Sequence, residues 1–357
     1  MPFHLFVDIS SHGFGHLAQT APVLNALRAR LPDLALTIRS GLPPARLAQR
    51  LAGPFTHLPQ ASDFGLSMKN ALDVDAHDSL ARYQAMHADW DAQVQAYARQ
   101  IADRQPDLLL ANISYLALAA ARAAGVPALA LCSLNWLDIL SPYAPASPKL
   151  DNMFAQMLDA YNSTLAFLRL TPGMPMPRIE HKIAIGPIAS HGLAQPDLHA
   201  RLGQAPATRL ILVAMGGIPM RLPSTWPALP GYRWIVPRAA ALPRDDMLAL
   251  ESIDLPFIDL LASCDAVLTK SAYGAFVEAS ACGTPVLYVE RPDWPEEPCL
   301  VEWLMQHNQA QGISRAQFER GDFGAALGAL LQGPRANPII PGGIDQVADF
   351  ILKQLQR

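Results

Sequence analysis

Short, strongly apolar runs alternate with longer amphipathic stretches along nearly the whole chain. In the N-terminal half the runs HLFVDI, LALTIRS, FTHL, DLLLANI and VPALALCS read as strands. Between them apolar residues recur at helical spacing over 15–30, 44–51, 77–104 and 114–125, and a further helix is expected over 150–168. The second half restarts with TRLILVAMGG and continues with YRWIVP, DAVLTK and TPVLYVE as strands. Its helices are expected over 257–263, 274–282, 295–307 and 344–355. Strands that are apolar throughout and separated by helices predict parallel sheets covered on both faces. The expected fold class is α/β, with two Rossmann-like, doubly wound domains.

A proline- and glycine-rich break, LTPGMPMPRIEHKIAIGPIASHGLAQPD, separates the halves and is read as the linker. The expected layout is a first domain over 1–170, a second over 171–342, and a final helix within 343–357 packing back on the first. Ligands of such folds bind at the carboxyl ends of the strands, so the expected site is a crevice between the two domains. One stretch, 108–137, is apolar enough to suggest a membrane span, but Asn112, Ser114, Arg122 and Pro127 interrupt it. It reads instead as strand, helix, strand, with Gly125 ending the helix.

Composition narrows the picture. The chain has 357 residues, 51% of them hydrophobic and 16% charged, which suits two globular cores rather than a disordered chain. A net charge of -4 gives no reason to expect a nucleic-acid partner. The four cysteines, Cys132, Cys264, Cys282 and Cys299, show no CxxC spacing and read as free thiols in a reducing compartment. With no leader-like N-terminus and no transmembrane segment, a cytoplasmic location is expected.

Four motifs carry candidate chemistry. The first is SSHGFGH, a glycine turn between the first strand and the first helix, holding His12, Gly13, Gly15 and His16. The turn can bring backbone N–H groups and a helix N-terminus to an anion. Its two glycines do not make the dinucleotide fingerprint, and two histidines without a third ligand make a poor metal site, so no metal is expected. A histidine here suits a general base or a phosphate contact; a plain turn is the bland alternative.

The second motif is LTKSAYGAFVEASACGTPVLYVE, in which a strand ends at Lys270 and the small-residue turn Ser271, Ala272, Tyr273, Gly274 opens a helix. That turn can hold a pyrophosphate, with Ser271 adding a hydroxyl. Glu278, one turn into the helix, can accept from two ribose hydroxyls, or stand as a solvated helix glutamate. The third is RPDWPEEPCLVEWL, where Glu296 and Glu297 open a helix. They suit either sugar hydroxyls or the helix dipole alone. The fourth is VAMGGIP, whose Gly216 and Gly217 let backbone approach a ligand.

Taken together these residues resemble the GT-B glycosyltransferases, in particular the branch of the bacterial GlcNAc transferase acting on the lipid-linked peptidoglycan precursor. Nearer still in pattern is the glycosyltransferase-like domain of L-arabinokinases, which carries an HGFGH-like turn and a GYGTxxEAxxxGxP stretch followed by EEP. Here that stretch reads AYGAFVEASACGTPVLYVERPDWPEEP. The resemblance implies an inverting, metal-independent transfer from a nucleotide sugar, usually UDP-linked, with no cofactor besides that co-substrate. It implies a donor held by the second half, with Gly217 near the phosphates, residues 271–274 on the pyrophosphate, Glu278 on the ribose and Glu296 and Glu297 on the sugar. The acceptor, a glycan, lipid or small molecule, would lie on the first half near Asn135 and Trp136 of CSLNW.

His16 matches the histidine of the family's turn, and His12 begins the same turn; the sequence leaves open which is the base and leans to His16. Two positions depart from the pattern. Ala275 stands where a threonine is usual, and Gln19 where the nearer relatives often have arginine. A nucleotide-sugar hydrolase or epimerase, or a non-catalytic nucleotide-sugar binder, are the rival readings.

Overall fold

The computed structural model describes residues 2–217 and 220–356. It divides into two compact units. Unit 1 comprises Met1–Lys69, Asp73–Ile188 and Gly342–Arg357; unit 2 comprises Asn70–Leu72 and Ala189–Pro341.

Unit 1 is built on seven strands: β1 (His4–Ile9), β2 (Ala35–Arg39), β3 (Thr56–Leu58), β4 (Leu108–Asn112), β5 (Ala128–Cys132), β6 (Ala166–Leu170) and β7 (Lys182–Ile185). They form one sheet in the order β3-β2-β1-β4-β5-β6-β7. Every pairing is parallel. All residues of β4 and β5 are buried, which is why these runs are apolar without alternation. Strand order reverses between β1 and β4, which pair Asp8 with Ala111 and Ile9 with Asn112. Their carboxyl ends form the switch point at which such sheets bind ligands.

Unit 2 repeats the design with β8 (Arg209–Ala214), β9 (Tyr232–Val236), β10 (Met247–Ala249), β11 (Ala266–Lys270), β12 (Val286–Val289) and β13 (Ala310–Ile313). The order is β10-β9-β8-β11-β12-β13, again parallel throughout. Its switch point lies at the ends of β8 and β11, where Gly216 and Lys270 stand. Ala71 and Leu72 are buried in this unit's core with Met215, Leu222 and Leu268.

Several expectations are corrected. The helix over 77–104 is two helices, Ala76–Ala88 and Trp90–Ala102, broken at Asp89 with φ −115 and ψ 34. Trp90 is there stacked on His87, with ring centroids 4.7 Å apart. The helix over 150–168 ends at Asn162, and the apolar residues after it form β6. The stretch read as linker contains β7, the outer strand of the first sheet, so the boundary falls at 188 rather than 170. Strands β10 and β13 were not expected; the AQGI of β13 is too polar to register as an apolar run.

The last helix, Gly343–Leu355, lies in unit 1, where Arg30 pairs with Asp345 and, at 2.5 Å, with Asp349. Among the described residues no helix is long and apolar enough to cross a membrane.

Candidate functional site

The unit 1 site begins where β1 ends. The Ser10 N–H donates to the Asn112 carbonyl at 2.7 Å, tying the ends of β1 and β4 together. The chain then turns through His12 and Gly13 into the helix Phe14–Arg30, with Gly13 as its extended N-cap. A Cβ on Gly13 or Gly15 would meet nothing within 4 Å. The space over this helix terminus is therefore open to a ligand, and its leading N–H groups receive no side-chain cap.

His16 lies one turn in and is 7% exposed. A chain of amides fixes its ring. Gln19 Nε2 donates to Ser133 Oγ at 3.2 Å, and Asn112 Nδ2 donates to Gln19 Oε1 at 3.0 Å. The Asn112 oxygen thus faces His16 Nδ1 at 2.7 Å and accepts its proton. The Cys132 thiol also donates to Gln19 Oε1, at 3.3 Å. The Nδ1–H tautomer leaves the Nε2 lone pair for a substrate, and Nε2 makes no hydrogen bond among the described residues. Burial pushes the His16 pKa down to about 4, against a smaller upward pull from Asn112, so the ring is neutral at ordinary pH.

His12 is held differently. The 61–66 loop wraps its ring, with the Leu66 N–H and the Phe64 carbonyl both 3.3 Å from Nδ1. Gly65 sits in this loop at φ +66, and a Cβ there would overlap the His12 ring. The Trp136 indole is a shared wall for both histidines, with ring centroids 5.3 Å from His12 and 5.6 Å from His16.

The acceptor-side expectation for Asn135 and Trp136 is corrected. Both are fully buried. The Asn135 carbonyl oxygen caps the helix Trp136–Leu140 by accepting from the Asp138 N–H at 2.8 Å. Trp136 Nε1 donates to Asp63 at 2.9 Å. Neither offers surface to an acceptor.

Two buried carboxyls lie beneath the turn. Asp63 accepts from Ser10 Oγ at 2.6 Å and from Trp136, and burial pushes its pKa up to about 6. Asp8 accepts from the Ser62 and Tyr97 hydroxyls through one oxygen, while its other oxygen has no partner. Burial raises Asp8 to about 7 despite those two bonds. Sequence patterning singled out neither residue, nor Asn112. The available signal was an aspartate inside the apolar run HLFVDI.

In unit 2, Gly216 follows β8 at φ +87, a left-handed conformation that favours glycine, with the Lys270 side chain beside it. Gly217 follows; Ile218 and Pro219 of the VAMGGIP motif lie outside the described residues. Lys270 ends β11, and Ala272 is the uncapped N-cap of the helix Tyr273–Cys282. Ala272 itself brings no side-chain acceptor to the first turn, and Gly274 puts no Cβ in the way.

Lys270 Nζ donates to the Ala71 carbonyl at 2.7 Å, and Arg291 Nε donates to the Leu72 carbonyl at 3.1 Å. Burial, then the Arg291 charge, brings Lys270 down to about 7. Lys270 is thus met by a neutral backbone carbonyl, and the Arg291 guanidinium lies 4.4 Å from the Trp294 ring centroid. Glu278 is buried on the helix Tyr273–Cys282.

Three expectations change here. The Ser271 hydroxyl is fully buried and donates to Glu297. It braces the turn rather than reaching a pyrophosphate. Glu297 also accepts from the Arg291 N–H at 2.6 Å, so this oxygen is occupied within the unit. Burial raises its pKa. Glu296 is buried too, accepting from Trp294 Nε1 at 3.3 Å. Both glutamates support the loop instead of standing in solvent at a helix start.

No protein-family model matches the chain. It is 23% identical over 357 residues to L-arabinokinase from Arabidopsis thaliana, covering 97% of this chain. The chain spans 34% of that curated relative's length. Among solved structures it is similar to the glycotransferase of kitacinnamycin, with a TM-score of 0.64 at 17% identity, covering 99% of this chain and 100% of that one. It is also similar to UGT89C1 of Arabidopsis thaliana complexed with UDP, with a TM-score of 0.58 at 14% identity, covering 100% and 98%. With its two parallel, doubly wound sheets, the chain adopts the GT-B fold.

Proposed function

We propose that the chain is a glycosyltransferase that moves a sugar from a UDP-linked donor to an acceptor hydroxyl, with inversion and without a metal ion. Unit 2 holds the donor, and unit 1 supplies the base. The observation that carries the reading is His16 at a sheet switch point, its Nδ1 proton committed to Asn112 and its Nε2 unbonded. In the proposed step Nε2 takes the acceptor hydroxyl proton as that oxygen bonds to the anomeric carbon. The bond from that carbon to the diphosphate oxygen breaks, and attack from the opposite face inverts the centre.

Charge develops on the departing diphosphate. In this reading the helix start at Tyr273–Cys282 and the Lys270 side chain receive it. Gly216 and Gly217 leave room for the phosphates, and Glu278 accepts from the ribose. His12 is the less suited base because the 61–66 loop engages its ring.

The resemblance of the AYGAFVEASACGTP stretch and the UDP complex of a GT-B neighbour support the choice of UDP. A thermal-shift panel of UDP-, TDP- and GDP-sugars tests the donor, since a bound ligand stabilises the fold by RT ln(1 + [L]/Kd). UDP-sugars are expected to stand out. His16→Ala is expected to cut turnover ~10²–10⁴-fold with donor affinity retained. Unchanged turnover in that variant overturns the assignment of the base.

A further inference from the structure

Unit 1 contains a second feature that the base and the glycine turn do not use. A cleft of about 410 Å³ opens between the end of β2, the 61–64 loop and the helices Ala76–Ala88 and Trp90–Ala102. Arg39 and Arg82 line it, together with Gln93, Gln100 and Asp63.

Arg39 is the unusual member. Its side chain is 92% buried, at 8% exposure. It forms no ion pair within 4 Å among the described residues. Its guanidinium lies 3.6 Å from the Tyr97 ring centroid, and one nitrogen, Nη1, donates to Gln100 at 2.9 Å. Nε is buried with no hydrogen-bond partner. A buried cation without a counter-charge is costly, and an incoming anion removes that cost.

The nearby acids do not supply the missing charge. Asp8 is pushed by burial up to about 7, against a smaller downward pull from the Arg39 charge, and it makes no hydrogen bond or ion pair within 4 Å to Arg39 among the described residues. Asp63 lines the cleft, but both its oxygens are taken, by Ser10 and by Trp136. Arg82 adds a second cation at the mouth, with its guanidinium 3.9 Å from the Phe64 ring centroid and Nη1 on Ser67 at 3.0 Å. Two arginines therefore line one cleft whose lining carboxylate, Asp63, has both oxygens bonded elsewhere. The planar guanidinium fork suits a carboxylate or phosphate.

We propose that this cleft binds a small polar molecule through a carboxylate or phosphate group seated on Arg39 and Arg82, and that this molecule is the sugar acceptor. The second half rests on the transferase reading; the anion site stands without it. Gln93 and Gln100 offer amides to the hydroxyls of such a molecule.

The test uses the full chain and three probes of similar size: glucuronate, glucose 6-phosphate and neutral glucose. One or both anions are expected to raise the melting temperature by a few degrees, and the stronger of the two identifies the carboxylate or the phosphate source. Glucose is expected to do nothing. The shift is expected to vanish in Arg82→Glu, an exposed position that leaves the core intact, and in Arg39→Gln. It is expected to survive Lys270→Met, which removes a cation from unit 2.

A shift that survives both arginine variants, one lost in Lys270→Met, an equal shift with glucose, or no shift with either anion overturns the proposal. UDP binding to the wild-type chain separates the two readings. If UDP stabilises the wild type while neither anion does, the cleft is wrong and the transferase reading stands. If UDP does not stabilise it while the anion shift is present in the wild type and vanishes in both arginine variants, the reverse holds.

Discussion

His16 Nδ1 meets the Asn112 side-chain oxygen at 2.7 Å, so the imidazole at the unit 1 switch point is oriented by an amide and not by a carboxylate. An amide fixes the tautomer but supplies no charge to an imidazolium. Burial then prevails and holds the pKa near 4. Asn112→Asp puts a carboxylate against Nδ1, and Gln19 can turn its amide to donate to it. The His16 pKa is expected to rise from about 4, to or beyond its ordinary 6.5. NMR titration of the His16 ring nitrogens reads this without any substrate. A ring that still titrates near 4 in the variant would show that Asn112 does not govern it.

Asp8 gives a pH dependence of opposite sign to His16. Its folded pKa of about 7 lies above the ordinary 3.8, so the folded chain keeps a proton that the unfolded chain has released. That contribution is complete below the unfolded value and is lost as pH rises through about 7. The slope is roughly 1.4 kcal/mol per pH unit between pH 4 and 7. His16, with its lowered pKa, contributes stability above 6.5 that is lost as pH falls toward 4, partly masking Asp8 in the wild type.

Asp8→Asn isolates the effect. The variant should gain on the wild type by about that slope across the same window, as read by urea unfolding at stepped pH. A difference that stays flat with pH would mean that Asp8 is ionised in the fold.

Gly65 is the third test. Its φ of +66 and the His12 ring against it leave no place for a side chain. Gly65→Ala is expected to cost more than about 1 kcal/mol and to release the 61–66 loop from His12. Faster amide hydrogen exchange at Leu66, whose N–H points to His12, is the local readout. Unchanged exchange and stability would mean that the loop can open without loss.

How far the chain reveals these features depends on what kind of order each one uses. The sheets were legible because buried parallel strands must be apolar on both faces, as in the fully buried β4 and β5. β6 was hidden because AFLRL continues the apolar spacing of the helix Pro148–Asn162. In the site, SSHGFGH announced itself through glycines and histidines in a turn. Its partners Asn112, Ser133 and Asp63 did not. Asn112, Ser133 and Asp63 come from segments distant in the chain, and only the parallel pairing of β1, β4 and β5 and the 61–66 loop bring them to the helix that carries His16 and Gln19. The Ser271–Glu297 bond was out of reach for a related reason. Spacing places a hydroxyl at a helix start but cannot show that a carboxylate 26 positions on will claim it.

That bond separates bracing from binding in unit 2. If Ser271 braces the turn, Ser271→Ala leaves the buried Glu297 carboxylate with one donor fewer, costing about 1–3 kcal/mol of stability. UDP affinity should change little, because the pyrophosphate would rest on backbone N–H groups that the substitution leaves in place. Glu278→Ala should do the reverse. If Glu278 accepts from the ribose as proposed, its loss weakens UDP binding by roughly tenfold, the worth of about 1.4 kcal/mol. Calorimetric UDP titration and chemical unfolding of both variants read the two effects separately. A Ser271→Ala variant that keeps its stability but loses UDP would return the hydroxyl to the phosphate. A Glu278→Ala variant with full UDP affinity would move the ribose elsewhere.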